Sequence, residues 1–243
     1  MKQQLSRLFL AGGQNAVPFS GWFLGGWSPG TTLAIFWVEN LLLTVLIAAR
    51  IAAHRTATRK RGHQNGFLSK FLITALAFTL AHGLFLTFIL FAVMENSVSR
   101  EDLVAGILWM LLAQGASLLI DLWFVGNWPF REVRAWVDWM MGRVVVAHLS
   151  ILFGMFAFMA MEQPWWFFSA FLVFKALMDI AGLLPRWRYQ PKTPPAWLSR
   201  AVKKLPQGRQ NRGLKDETFE QYWERANREE TERSARDEEV VDA

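Results

Sequence analysis

Long apolar stretches separated by short charged segments constrain this chain more than any other feature of its sequence. Five stretches are each about long enough to cross a hydrocarbon core of roughly 30 Å as a helix that rises about 1.5 Å per residue. They comprise residues 31–53, 71–94, 103–125, 144–161 and 165–184. Because backbone groups in lipid must be hydrogen-bonded within the segment, we predict that each stretch is an α-helix.

An earlier stretch, residues 8–27, is less apolar because it contains Gln14, Asn15 and Pro18. We interpret it as a broken or tightly packed span, and the alternative is an interfacial or re-entrant segment. The predicted fold is therefore all-α: a polytopic transmembrane helix bundle with six spans.

Charged residues are concentrated near the C-terminus. Residues 1–184 contain 13 of the 26 Lys and Arg residues and 9 of the 20 Asp and Glu residues, so the remaining quarter carries more than half of the charges. This division predicts three regions. They are a transmembrane domain at 1–184, an interfacial helix with a linker at 185–214, and a charged, partly helical cytoplasmic tail at 215–243.

The loops predict an orientation. Residues 50–70 hold six Lys and Arg residues, whereas Arg100 stands alone among acidic residues on the opposite side. Basic loops stay in the cytoplasm, so we predict a cell (inner) membrane protein with both termini cytoplasmic. The net charge of +6 suits a face that binds anionic lipid headgroups. The sequence contains no nucleic-acid-binding module.

Two amphipathic segments are expected to lie along the cytoplasmic headgroups: residues 131–141 and 194–206. An equally common interpretation is a helix that packs on its neighbours. In the tail, Asp216 is predicted to cap a helix whose apolar face carries Phe219, Tyr222 and Trp223. That face would dock on the membrane domain or bind a separate protein partner, and a homo-oligomer is also left open.

Each predicted span from the second to the sixth carries an ionisable residue, which costs about 3 kcal/mol or more if it faces lipid. We therefore predict an interior polar cluster. Its candidate members are Glu39, Asn40, His82, Gln114, Asp121, Arg143, His148, Lys175 and Asp179. Opposite charge and similar depth make Lys175 the expected counter-ion of Glu39, with His82 as a further neighbour.

A metal site is an alternative use of the same residues. Glu39, His82, His148 and Asp179 have the ligand types that bind Zn²⁺ or Fe²⁺. The chain has no cysteine, which excludes disulfides and thiolate ligands. The ligands also lack the short helical spacings of common metal motifs, so no cofactor is assigned.

Four short motifs resemble the bacterial and archaeal domain-of-unknown-function 6498 family. They are FWVEN at 36–40, AHGLF at 81–85, GRVVVAHLSILFG at 142–154 and FKALMDI at 174–180. The resemblance covers roughly residues 16–184 and leaves the tail outside. It implies a multi-span membrane fold and no particular activity. The family's motif positions fall here on Glu39, Asn40, His82, Arg143, His148, Lys175 and Asp179.

Three classes of function follow from these observations. The polar cluster could be structural or could conduct protons, ions or a small polar solute. The chain could be a metal-dependent membrane enzyme, although the hydrolase, P-loop and Rossmann signatures are missing from its sequence. It could also be a scaffold that acts through its cytoplasmic tail.

Overall fold

A computed structural model gives the fold of residues 12, 15–64, 66–92, 98–144, 169–170, 172–177, 179, 193–194, 196, 199–200 and 218–241. These residues are predominantly helical and form no β-strand, which confirms the predicted all-α class for this part of the chain. The predicted fifth span and the amphipathic segment at 194–206 lie almost entirely outside the described residues.

Three long helices form the frame of the bundle. They are α2 (Pro29–Thr58), α3 (Phe67–Ala92) and α4 (Arg100–Phe124). The segments Pro29–Thr58, Phe67–Phe88 and Arg100–Asn127 are long and apolar enough to cross a membrane by length and composition. They coincide with the second, third and fourth predicted spans.

Shorter helical segments pack around this frame. Residues 15–23 form α1, residues 130–144 form α5, and the helical residues 169–170, 172–177 and 179 belong to α6. The tail helix is α7 (Phe219–Asp237). Single 3-10 turns lie at Arg61–His63 and Val125–Asn127.

Local sequence explains where the helices begin. Ser28 caps α2, because its hydroxyl accepts a hydrogen bond from the Thr31 amide and Pro29 supplies the fixed φ of a first helical residue. Ser99 caps α4 in the same way through the amide of Asp102. The predicted tail cap was wrong: Thr218, not Asp216, caps α7, and a reciprocal bond with Gln221 completes a capping box.

Helices α2 and α4 run in the same direction. Near the start of both helices, the Ser99 amide donates to the Thr31 hydroxyl at 2.8 Å. Toward their ends, Nε of Arg50 donates to Asp121 Oδ2 at 2.7 Å. The intervening α3 is antiparallel to α2, because Phe71 near its start packs with Ile51 near the end of α2, and Leu86 near its end packs with Leu33 near the start of α2. Between these contacts, the indole of Trp37 donates to the carbonyl of Thr79 at 2.9 Å. A side chain at Gly83 would collide with this same Trp37 ring.

The apolar core lies between α2, α3, α5 and the turn after α4. Its buried members are Leu43, Ile47, Ile51, Phe71, Ala75, Val125, Trp128, Val133, Trp136 and Met140. Helix α5 thus packs its apolar face on neighbouring helices, as in the second interpretation of residues 131–141. A second buried group joins Trp22 of α1 and Leu172 of α6 to α2 and α3.

Candidate functional site

A compact ion cluster joins α2, α5 and α6. It consists of Glu39 from α2, Arg143 from the end of α5, and Lys175 and Asp179 from α6, and we call it the Glu39 cluster. Lys175 and Asp179 share a face of α6 because they are four residues apart. Glu39 and Asp179 are 0% and 1% exposed, so the carboxylates depend on the protein for their counter-charges.

Arg143 is the centre of the Glu39 cluster. Its Nη2 lies 2.5 Å from Oε1 of Glu39, and its Nε lies 2.5 Å from Oδ1 of Asp179. The guanidinium also stacks over the Trp139 ring at 5.1 Å from the ring centroid. One planar cation therefore holds the carboxylates of two different helices.

Lys175 closes the cluster from the other side. Its Nζ lies 3.2 Å from Glu39 Oε1 and 3.0 Å from Asp179 Oδ2. It also lies 3.5 Å from Oδ1 of Asn15 and 5.3 Å from the centroid of the Phe36 ring. Two cations and two carboxylates thus form a cluster with no net formal charge.

Three buried polar atoms of this neutral cluster have no hydrogen-bond partner among the described residues: Oε2 of Glu39, Nη1 of Arg143 and Oδ1 of Asp179. Oδ1 of Asp179 still contacts Nε of Arg143 as an ion pair at 2.5 Å. The other two atoms are an acceptor and a donor, and burying such groups unpaired costs roughly 1–3 kcal/mol each. A molecule that both donates and accepts hydrogen bonds, of which water is the smallest, would satisfy both.

A second buried ion pair lies farther along α2, toward its C-terminal end. Nε of Arg50 contacts Asp121 at 2.7 Å, and its Nη2 donates to the Ser117 hydroxyl at 3.2 Å. Arg50 also stacks over the Trp136 ring at 5.3 Å. Arg50 is eleven residues beyond Glu39, which is roughly 16 Å along the helix axis. Asp121 therefore belongs to this Arg50 pair and not to the Glu39 cluster.

The other predicted cluster members have separate positions. Asn40 is buried beside Glu39 on α2, and its backbone carbonyl accepts from the Thr44 hydroxyl at 2.9 Å. His82 is buried on α3, one turn after Thr79. Gln114 is fully buried on α4, one turn before Ser117, and its amide atoms have no hydrogen-bond partner in the described part of the chain. His148 lies outside the described residues.

The described residues contain no group of three or more His, Asp or Glu side chains that could hold a metal ion. Of the four proposed ligands, Glu39 and Asp179 come together, but Arg143 and Lys175 occupy the space between their carboxylates. Cations held by these carboxylates compete with any metal ion for the same oxygens.

A histidine pair lies at the far end of α2. Nδ1 of His54 is 2.6 Å from Nε2 of His63, and Nε2 of His54 is 2.9 Å from the carbonyl of Trp128. Because a carbonyl only accepts, His54 carries its proton on Nε2 and accepts from His63. Burial lowers the pKa of His63 to about 4, and His54, Arg55 and Lys60 add to this effect. His63 is therefore neutral near pH 7.

The end of the tail lies against the same region. Lys60 and Val240 form an isolated antiparallel bridge, and Lys60 Nζ lies 2.5 Å from Glu238 Oε2. Arg134 Nη2 lies 2.7 Å from Asp237 Oδ2. Among the described residues, the tail thus contacts the α2–α3 loop and α5 through Glu230 and residues 237–241.

Sequence reasoning missed one buried cation. Arg50 was counted among the basic residues of the loop at 50–70, whereas Arg143 was predicted as a member of the polar cluster. The signal of Arg50 was nevertheless present, because Arg50 follows Ile47 and precedes Ile51 and His54 on one helical face. A cation within such an apolar face requires a carboxylate at matching depth, which Asp121 supplies.

A family model described as "Family of unknown function (DUF6498)" matches residues 2–197. The matched region contains every member of the Glu39 cluster and of the Arg50 pair, and it confirms the resemblance inferred from the four motifs. No curated protein and no solved structure matches the chain.

Proposed function

The chain belongs to the DUF6498 family, a family of unknown function, and from this premise we propose that the Glu39 cluster conducts protons or a small polar solute through a multi-pass membrane bundle. The supporting observation is that Glu39 Oε2 and Arg143 Nη1 have no hydrogen-bond partner among the described residues, inside an ion-paired, neutral cluster. Ionisable residues that face a bundle interior commonly mark proton or solute pathways.

The neutral cluster suits a transient guest. A proton or polar molecule that enters at Glu39 meets an acceptor, a donor and two cations, so its water shell can be replaced group by group. Further polar side chains continue along α2 and α4. Gln114, Ser117, Asp121 and Arg50 supply buried donors and acceptors between the Glu39 cluster and the histidine pair.

We also propose the finer architecture of this membrane protein. It has six spans in the inner membrane, with residues 1–184 as the transmembrane domain, residues 185–214 as an interfacial helix and linker, and residues 215–243 as a cytoplasmic tail. The excess of Lys and Arg in residues 50–70 supports cytoplasmic termini. Three apolar helices are consistent with this arrangement.

Flux through proteoliposomes tests the proposal. Purified protein is reconstituted with a pH-sensitive dye inside, and a potassium diffusion potential drives protons. Swelling of the same vesicles in glycerol and in urea measures the permeability to small polar solutes. We expect the wild type to raise at least one of these fluxes above protein-free vesicles, and Glu39→Gln to abolish the increase.

The matched control is Glu101→Gln, which makes the same chemical change at an exposed first-turn position of α4. It should retain the wild-type flux. If wild type and Glu39→Gln both match protein-free vesicles for protons and for both solutes, the conduit is refuted. The cluster would then act as a polar contact that holds α2, α5 and α6 together.

A further inference from the structure

The acidic end of the tail neutralises a basic surface that consists of Lys60, Arg61 and Arg134. Glu238 is the most enclosed carboxylate there: its Oε2 lies 2.5 Å from Lys60 Nζ, and its Oε1 accepts from the Arg131 amide at 3.1 Å. Burial raises the pKa of Glu238, but the hydrogen bonds from Lys60 and from the amides of Arg131 and Phe130 outweigh it. The pKa is therefore held below its ordinary value.

Two more ion pairs and two backbone hydrogen bonds hold the same segment. Arg61 Nη1 lies 2.5 Å from Glu239 Oε2, and Arg134 contacts Asp237 at 2.7 Å. The Arg61 amide donates to the Glu239 carbonyl at 2.7 Å, and the Val241 amide donates to the Arg59 carbonyl at 3.1 Å. Every cation of the basic surface thus has a tail carboxylate.

The position of this surface indicates what else can bind it. Lys60 and Arg61 lie in the short loop between two helices that can each cross a membrane, and Arg134 follows closely after the third. Because α2 and α4 run in parallel, the end of α2 and the end of α4 reach the same membrane face. All three cations therefore lie at headgroup level, where anionic lipid attracts each one by about 1 kcal/mol.

The tail contacts are also weak enough to exchange. Arg61 and Glu239 are 47% and 54% exposed, and ion pairs of this kind contribute little in water. The tail helix itself has no buried residue, so its release exposes no core. The basic surface can therefore trade tail carboxylates for other anions without unfolding the bundle.

We infer that the surface formed by Lys60, Arg61 and Arg134 binds the phosphate groups of anionic phospholipids, and that Asp237, Glu238 and Glu239 compete for it. The tail is docked when the surrounding leaflet is neutral and is released when the leaflet is anionic. This is a lipid-sensing contact, and it is independent of whether the Glu39 cluster conducts.

Distance measurement on the full chain in nanodiscs tests this inference. The chain has no cysteine, so Thr56→Cys and Ala235→Cys introduce two unique sites for spin labels at exposed positions. The short-distance population reports the docked tail. Nanodiscs of phosphatidylcholine are compared with nanodiscs that contain increasing phosphatidylglycerol at constant ionic strength.

We expect phosphatidylglycerol to raise the ratio of released to docked tail by about fivefold or more. That factor corresponds to the attraction of one Lys or Arg side chain to an anionic surface, about 1 kcal/mol. Glu238→Gln should release the tail at a lower phosphatidylglycerol fraction. The matched control Glu229→Gln removes a carboxylate that pairs within α7, with Arg225, and it should behave like the parent. Lys60→Gln should reduce the response to phosphatidylglycerol.

Three outcomes would overturn the inference. The first is a docked fraction that does not change with phosphatidylglycerol. The second is equal release by millimolar inorganic phosphate in phosphatidylcholine, which would assign the surface to free phosphate. The third is an equal shift in Glu238→Gln and Glu229→Gln, which would show that the lipid acts on α7 as a whole.

Discussion

Arg143 lies closer to Glu39 than Lys175 does: Nη2 of Arg143 is 2.5 Å from Oε1 of Glu39, and Nζ of Lys175 is 3.2 Å from the same oxygen. Lys175 was the counter-ion expected from charge and depth. In the structure the carboxylate is shared, and Arg143 makes the shorter contact and also holds Asp179. The loss of Arg143 and the loss of Lys175 should therefore have different consequences for stability.

Arg143→Met should destabilise the bundle more than Lys175→Met. Each change leaves Glu39 and Asp179 with one cation, and breaking a buried pair costs about 3–5 kcal/mol. Arg143 makes the shorter contacts, at 2.5 Å to both carboxylates against 3.2 and 3.0 Å for Lys175, so we expect a smaller loss from Lys175→Met. Denaturant or thermal unfolding of both variants in one detergent provides the comparison.

The double variant Glu39→Gln with Arg143→Met measures the coupling directly. It should cost less than the sum of the two single changes, because no stranded charge remains at this contact. Strict additivity would mean that Glu39 and Arg143 do not interact. A larger loss for Lys175→Met than for Arg143→Met would contradict the geometry of the cluster.

Two glycine substitutions should have opposite effects on stability. In Gly83→Ala the new Cβ would lie 2.6 Å from Nε1 of Trp37, which donates to Thr79, so we expect a loss of about 1–3 kcal/mol. In Gly115→Ala no atom lies within 4 Å of the new Cβ. Alanine should there stabilise α4 by up to about 1 kcal/mol. Melting temperatures that change equally would contradict the close contact of α2 and α3.

Acid should weaken the protein through His63. The pKa of His63 in the folded protein is about 4, below the ordinary 6.5, so the unfolded chain binds a proton that the folded chain excludes. Stability is then fully present above pH 6.5 and is lost as the pH falls from about 6.5 to 4. His63→Gln keeps a donor for His54 but does not titrate. Unfolding of this variant should take up about one proton fewer over this pH window, so its stability should fall less as the pH drops. Identical pH profiles of the two proteins would exclude His63 as the source.

The tail contact predicts a shared membrane side for distant parts of the chain. Reporter fusions after Arg61 and Ala243 should report the cytoplasm, because Lys60 pairs with Val240 and the loop is rich in Lys and Arg. A fusion after Arg100 should report the other side. An external Ala243 would refute both the six-span arrangement and the docked tail.

Sequence alone predicts the three long helices of the described residues well, because lipid leaves one solution for a long apolar segment. The stretches 31–53, 71–94 and 103–125 lie within or close to the bounds of α2, α3 and α4. The ends differ by a few residues, since caps such as Ser28 and Ser99 set them and polar caps lie outside an apolar pattern.

Pairing between helices was harder to predict. The hydrophobic pattern of a helix gives the depth of a residue along the bundle, but it does not tell which neighbouring helix that residue faces. Gln114 and Asp121 share a face of α4, yet Asp121 meets Arg50 and not Glu39. Arg50 was hidden by its place near the end of an apolar stretch. The long side chains of Arg50 and Arg143 reach inward from near the ends of such stretches and stack on Trp136 and Trp139, respectively.

The contact between Lys60 and Glu238 spans 178 positions of the chain. During synthesis at about 5–20 residues per second, the α2–α3 loop is therefore made roughly ten seconds or more before its partner. Helices α2 to α4 are thus made while the cationic loop between α2 and α3 still lacks its carboxylates. A chain that stops before Asp237 would keep Lys60, Arg61 and Arg134 without the three carboxylates that pair with them here.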